Sequence, residues 1–432
     1  MSNLESEIGS KLYEFAEKLW PFNRSLTGNG VRQTLCAIKE VIPGLRLHEV
    51  PSGEKAFDWI VPKEWNVVDA YLITPNGNKI CDFKMNNLHL VGYSIPTRVN
   101  LRLEDLQKHL HSLPDQKDAI PYITSYYEPR WGFCLSQNER DQLIPGIYEV
   151  HIDVELVDGS LTYGEILLPG QVEKEILLST YVCHPMMANN ELSGIVVTTY
   201  LAKWLSEIDK YYSYRIVFLP ETIGSIVYIS KNLATLKKNI VAGYVLTCIG
   251  DERTYSFLPS RLGDTLGDRM AMHVMKYIEP NYKRYRWLDR GSDERQYCSP
   301  KIDLPVASIM RTKYGEFPEY HTSLDRLDTV VTATGLAGGY NLVKKVLLGI
   351  ENNYYPESLI LCEPQMGKRG LYATLSQKGS AQIHRKLLNV LSYCDGNSSL
   401  LEISDILEIP IWEAFDLIEL LFGHQLVEKL RK

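Results

Sequence analysis

Apolar positions along this chain change their period as it proceeds. Up to about Gly44 they recur at helical spacing, with Leu12, Phe15, Ala16 and Leu19 on one stripe and Val31, Leu35 and Ile38 on the next. From Leu45 the runs LRLHEV, NVVDAYLI, LHLVGYSI and GIYEVHIDVEL, broken by PSG, NGN and DGS, predict strands and turns. Strands then alternate with helices. EILLSTYVC, YRIVFLP, IVAGYVLTCIG and LPVASIMRT read as strands, and SGIVVTTYLAKWLSEI, SIVYISKNLATLKKN, LGDRMAMHVMKYI and DTVVTATGLAGGYNLVKKVLLGIE as helices. Apolar strands in this alternation predict an α/β fold with a mixed, mostly parallel sheet covered by helices on both faces. After about Leu361 the pattern changes again, to three helices and a terminal strand, the order of a winged helix. The expected division is a core over 1–58 and 164–360, a β-rich insert over 59–163, and a winged-helix-like domain over 361–432.

Composition narrows the function. With 432 residues, 45% hydrophobic and 23% charged, the chain is an ordinary globular one. Its net charge of -7 and pI near 5.9 do not suit a surface built to neutralise phosphates. In the last segment Glu402, Asp405, Glu408, Glu413, Asp416, Glu419 and Glu428 outnumber Lys429, Arg431 and Lys432, so no nucleic acid is expected there. Docking of a protein partner or a second copy through the C-terminal domain or the insert suits it better. The N-terminal stretch has no h-region, and no run approaches the ~18 apolar residues of a membrane span, so a cytoplasmic protein without a membrane partner is expected. The eight cysteines are scattered without a CxxC, which excludes a zinc ribbon and leaves them as reduced core residues. Cys183 and Cys298 stand beside candidate site residues but lack a local base motif.

Ligands of open α/β sheets bind beyond the carboxyl ends of the strands. Several polar residues fall at such ends: His184 after EILLSTYVC, Glu221 in FLPETIGS, Asp251 in TCIGDER, Asp293, Glu294 and Arg295 in GSDERQYC, and His321 in EFPEYHTSLDRLD. Two histidines with several carboxylates make a donor set suited to Zn²⁺, with Glu221 as general base on a metal-bound water. Each residue also has a plainer reading. A lone histidine after a strand is more often a hydrogen-bonded loop residue, Glu221 could serve the dipole of the next helix, and GSDERQYC could be a surface turn. Arg295 could meet a substrate carboxylate in bidentate fashion, and Tyr297 and Tyr320 could touch a substrate, although core packing is the default for tyrosine.

The segments CHPMMANNELSG, PETIGS, LTCIGDE, DERQYCSP, LPVASIMRT and PEYHTSLDRLD resemble, in order, those of the zinc-dependent aminopeptidase superfamily, which includes glutaminyl cyclases. More closely, the chain resembles an aminopeptidase-like branch found near polysaccharide and natural-product biosynthesis genes. The likeness covers almost the whole chain, insert and winged-helix-like domain included. The resemblance implies that His184 and His321 bind metal, that Glu221 is the base, and that Asp251 lies near a further metal-binding aspartate. Asn190 falls where the metal-bridging aspartate is expected, and Thr222 where a second acid is expected. A neutral amide is a poor ligand, so two metals are not expected. The leading expectation is a one-zinc enzyme that hydrolyses or transfers an amide bond of a small peptide-like or aminoacylated substrate. The alternatives are a metal-free binding protein of the same fold and, last, a DNA-binding regulator.

Overall fold

The computed structural model describes residues 3–125, 128–371 and 380–432; residues 372–379 of the expected C-terminal domain lie outside the described residues. The main sheet has eight strands: β1 (Arg46–Pro51), β2 (Ser160–Leu168), β3 (Glu175–Tyr181), β4 (Ser213–Leu219), β5 (Ile240–Leu246), β6 (Ser256–Leu258), β7 (Lys283–Arg284) and β8 (Val306–Met310). Their order across the sheet is β1-β2-β4-β3-β5-β8-β6-β7. The central pairs, β3 with β4, β3 with β5 and β5 with β8, are parallel, and antiparallel strands flank them. Every residue of β3 and β4 is buried, as expected of strands covered on both faces. The helix Ile223–Asn239 packs with Tyr163, Leu177, Val217 and Val306 of one face. On the other, the helices Asn29–Val41 and Ser193–Ser206 meet β2 and β3. Strand order reverses about β3, since the chain passes from β3 to β4 on one side and then to β5 on the other. That reversal is where a crevice opens at the carboxyl ends of such a sheet.

The insert is a four-stranded antiparallel sheet of Lys79–Ile80, Glu64–Ile73, Ile147–Val157 and Thr97–Arg102. Burial alternates along Ile147–Val157, with Tyr148, Val150, Ile152 and Val154 packing on Trp65 and Leu72. The insert ends before the expected boundary at 163, because β2 belongs wholly to the main sheet, pairing with β1 and β4.

Insert and core form one compact unit, Met1–Thr265 with Lys283–Asn341. The second unit joins Leu266–Tyr282 to Leu342–Lys432. Helix Leu266–Ile278, expected in the core, therefore groups with the C-terminal segment, and His273 shows why. Its Nδ1 donates to Asp405 Oδ1 at 2.7 Å and its Nε2 accepts the Ile411 N–H at 3.0 Å. The winged-helix unit contains helices Ser380–Leu391, Leu400–Ile406 and Ile411–Gly423, the second begun by a Ser399–Glu402 capping box. Strand Val427–Leu430 pairs with Tyr355–Ser358, a strand too short and too close to Pro356 to be legible beforehand. Two of the acids on the last helix are met within the unit, Glu413 by Lys386 and Glu419 by Lys429. No described helix is long and apolar enough to cross a membrane.

Candidate active site

Beyond β3 the chain runs through Cys183 and His184 into a π-helical turn, Ala188–Leu192, before the helix Ser193–Ser206. Asp325 shapes that turn by accepting the backbone N–H groups of Asn189 at 2.7 Å and Asn190 at 2.9 Å. Gly194 lets the turn sit tightly on the sheet, since a Cβ there would lie 2.5 Å from the Leu246 carbonyl oxygen. The wide turn points Glu191 inward, where its Oε2 lies 3.0 Å from His184 Nδ1. Its Oε1 lies 3.3 Å from Nε of Arg24, a fully buried guanidinium that also donates to the carbonyls of His184 and Leu19. With Nδ1 fixed in this way, His184 turns Nε2 toward Glu221, 3.8 Å from Oε2.

Glu221 follows β4, and its direction is set by an unusual bend. Thr222 has φ 65° and ψ -77°, and the Ile223 N–H donates to the Glu221 carbonyl at 2.8 Å, which makes a γ-turn of the strained, positive-φ kind. A β-branched residue in this region costs about 1–3 kcal/mol and persists only where its surroundings over-determine it. Asp293 Oδ1 accepts the Thr222 N–H at 2.7 Å and the Ser225 hydroxyl at 2.8 Å, and Arg295 Nη2 donates to Thr222 Oγ1 at 2.6 Å. Ser292 donates to Glu221 Oε1 at 2.7 Å, which leaves Oε2 facing His184.

The electrostatics follow from burial. Burial raises the Glu221 pKa, against the pull of His184, Ser292 and Arg295. Burial, then the Glu221 charge, pushes Asp293 up to about 8. For His184 burial opposes the charged form, but the Glu191 hydrogen bond and charge outweigh it and the pKa rises. Burial, then the charge of His184, takes His321 down to about 3. Burial also pushes the Cys183 thiol well up, and its sulfur accepts the Glu221 N–H, so no nucleophile is prepared there.

His321, at φ 56°, stacks on Tyr320 with centroids 3.9 Å apart and lies 5.5 Å from the His184 ring. Tyr122, from the inserted segment, meets both rings edge-on at 5.4 and 5.2 Å, and its N–H donates to the His321 carbonyl at 2.8 Å. In front of these groups is a cavity of about 250 Å³, with Leu26, Trp59, Tyr122 and Ile223 as an apolar wall and His184, Glu221 and Arg295 as its charged groups.

Other expected site residues lie elsewhere. Asp251 is a strut: Oδ1 accepts from Arg253 N and Thr312 Oγ1, and Oδ2 from Asn189 Nδ2 and Thr312 N. Asn190 spends its Oδ1 on the Tyr181 hydroxyl at 3.1 Å. Glu294 accepts from Gly291 N, Ser292 N and the Tyr314 hydroxyl on one oxygen and from Ser308 on the other, with no exposure, so it clamps a loop and meets no substrate. Tyr297 is core, its hydroxyl bonded to Ser179 at 2.9 Å. Asp293 holds the γ-turn. Arg24, Ser292, Trp59 and Tyr122 were not singled out from the sequence, because nothing local marks a residue whose partner is remote in the chain, as Glu221 is from Ser292 and His184 from Arg24.

The chain matches the family model described as "Domain of unknown function (DUF4910)" over residues 13–353, and a winged helix-turn-helix model over 354–429. This chain belongs to the DUF4910 family. A Clostridium acetobutylicum relative, provisionally named a polysaccharide biosynthesis protein with an aminopeptidase-like domain, is 47% identical over 401 residues, 92% of each chain. A crystal structure from the same organism, provisionally named a peptidase, superposes with TM-score 0.92 at 44% identity, covering 99% of this chain and 97% of that one. The Bacillus subtilis zinc aminopeptidase BSAP shares the fold at TM-score 0.59 and 11% identity, covering 79% of this chain and 94% of its own. The core is thus an aminopeptidase-like α/β fold with a winged-helix domain after it.

The fold raises the question of zinc, and the side chains answer it in two parts. A bridged pair of ions does not fit. Asn190 is a neutral amide bonded to Tyr181, Thr222 accepts from a guanidinium, and Asp251 has no acceptor site left. For a single ion, His184 and His321 offer two imidazoles with ring centroids 5.5 Å apart, and the Glu221 carboxylate stands beside His184. The Glu191 bond to His184 Nδ1 is the outer support that metal-ligating histidines usually have. Among the described residues, Cys183, His184 and Glu191 do bring donor atoms within 4.8 Å of one another, but Arg24 already holds Glu191 and burial keeps the thiol protonated.

Proposed function

We propose that this family member hydrolyses, or transfers, an amide bond of a small substrate carrying an apolar group and a free carboxylate, with one zinc-class ion at His184 and His321 and with Glu221 as the base. The observation that carries this reading is the pairing of His184 Nε2 with Glu221 Oε2, 3.8 Å apart at a cavity with an apolar wall and a guanidinium. The ion, when bound, would polarise the amide carbonyl and acidify a water.

The chain's own residues do the rest. Glu191 keeps the proton of His184 on Nδ1, so that Nε2 stays a donor of electrons. Glu221 uses Oε2 to take the proton of the attacking water or amine, since Oε1 is committed to Ser292. Arg295 reaches the substrate carboxylate, while Leu26, Trp59, Tyr122 and Ile223 exclude water and grip the apolar group. A cavity of about 250 Å³ suits a dipeptide-sized molecule and not a polymer. The relative's naming for polysaccharide biosynthesis makes N-acylated amino sugars a sensible second set of substrates.

The test is turnover of N-acyl amino acids and dipeptides against their methyl esters, with and without added zinc. Faster turnover of the free acids, dependent on zinc and lost in Glu221→Gln, supports the reading. Zinc-independent turnover, or none across both substrate sets, rejects it.

A second reading, a metal-free binding protein, rests on one observation: among the described residues Glu221 is the only carboxylate lining the cavity, where proton transfer and metal charge would normally be divided between acids. Stoichiometric ligand binding without turnover would favour it.

A further inference from the structure

Behind the candidate active site is a second, much smaller cavity of about 20 Å³. It shares Leu26, Tyr122 and Thr124 with the larger one. Two of its lining residues each carry a buried side-chain nitrogen with no hydrogen-bond partner among the described residues, Arg24 Nη2 and Asn87 Nδ2. Arg24 is fully buried and Asn87 is 9% exposed. Other polar side chains of the wall are already engaged: the Tyr93 hydroxyl with Thr27, the Trp65 indole with the Ser94 carbonyl, and the Ser25 hydroxyl with the Thr27 carbonyl. Among the described residues no carboxylate lines the cavity.

Buried donors without partners cost about 1–3 kcal/mol each, and native structures rarely leave them so. What would satisfy these two is constrained by size and by sign. The volume admits one particle of water or halide size and excludes sulfate or phosphate. A water would bring two hydrogens of its own to a place whose unpartnered groups are both donors, one of them cationic. An anion accepts from both and brings no hydrogen of its own. Burial works against the Arg24 charge, and Glu191, which offsets it, is shared with His184.

We propose that Arg24 Nη2 and Asn87 Nδ2 form a binding site for a single monatomic anion of chloride size. The site braces the candidate active site from behind. Arg24 holds both Glu191 and the His184 carbonyl, and Tyr122, which borders both cavities, packs on the His184 and His321 rings. The assignment does not depend on the proposed reaction, so it stands or falls separately.

The test compares the thermal unfolding of the full chain in sodium chloride, bromide and gluconate at one ionic strength. Chloride and bromide are expected to raise the melting temperature by about 2–4 °C over gluconate, in the manner of any ligand specific for the folded state. Asn87→Leu is expected to remove the difference while the variant still unfolds cooperatively. Equal melting temperatures in all three salts, or a difference that survives Asn87→Leu, would overturn the proposal. Crystals grown in bromide give a second readout: an anomalous peak between the two nitrogens supports the site, and density without anomalous signal identifies water and rejects it.

Discussion

Past the end of β4, Glu221 keeps one carboxylate oxygen turned toward His184 and a cavity; past the end of β5, Asp251 keeps none. Both acids follow apolar parallel strands of one sheet, and in the sequence they look alike. The difference is what their neighbours ask of them. Asp251 accepts from four donors on three residues and ties the β8 loop to the turn before helix Ser193–Ser206. Glu221 accepts from one hydroxyl and is aimed by a strained turn at Thr222. A buried acid with every lone pair used is a scaffold, and one with a lone pair left over is available for chemistry.

The sharpest way to break that contrast is to remove each charge in turn. Glu221→Gln keeps the shape and the Ser292 contact, so turnover is expected to fall by about 10²–10⁴-fold with little change in melting temperature. Asp251→Ala is expected to do the reverse. Leaving the Arg253, Thr312 and Asn189 donors unpaired should destabilise the protein by about 3 kcal/mol in denaturant unfolding, with turnover per folded molecule nearly unchanged. Equal activity losses in the two variants would erase the distinction.

Asp293 adds a third case, because it holds the turn that aims Glu221 without itself lining the cavity. Asp293→Asn is expected to lower turnover about tenfold through misdirection of Glu221, with the substrate KM unmoved. Burial and the Glu221 charge push its carboxyl up to about 8, so an amide that does not titrate should also flatten any activity change across that range.

The smallest effect concerns the second unit. Burial lowers the His273 pKa below its ordinary 6.5, against the pull of Asp405. A histidine kept neutral by folding contributes stability that is present above 6.5 and lost as pH falls through its folded value, since the unfolded chain then binds the extra proton. Trp412 fluorescence should report an unfolding midpoint of this unit that drops on acidification below about 6.5, and His273→Gln should remove that slope.

Much of this was legible because local pattern and tertiary role agree. ILLSTY and RIVFL are mostly apolar, buried at every position, and followed within a few residues by His184 and Glu221, which put both in view. The resemblance carried His321. What misled was saturation: no local feature of TCIGDER tells that Thr312 and Asn189 will occupy Asp251, or that Glu294 will be consumed by a loop and Tyr314. The role of Glu191 depended on a π-helical turn that rotates it onto His184, where a regular helix would direct it elsewhere. Arg24 was invisible for a simpler reason. Its partner Glu191 is far along the chain, and an arginine in a polar N-terminal turn reads as solvent-exposed.

The proposed site holds one ion where a bridged pair does not fit. Zinc content per chain, measured after equilibration with zinc and removal of the excess, tests it most directly in the native protein and in His184→Ala and His321→Ala. The account predicts about one zinc per native chain and close to none in either variant. Two per native chain, none at all, or one that survives both substitutions would contradict it.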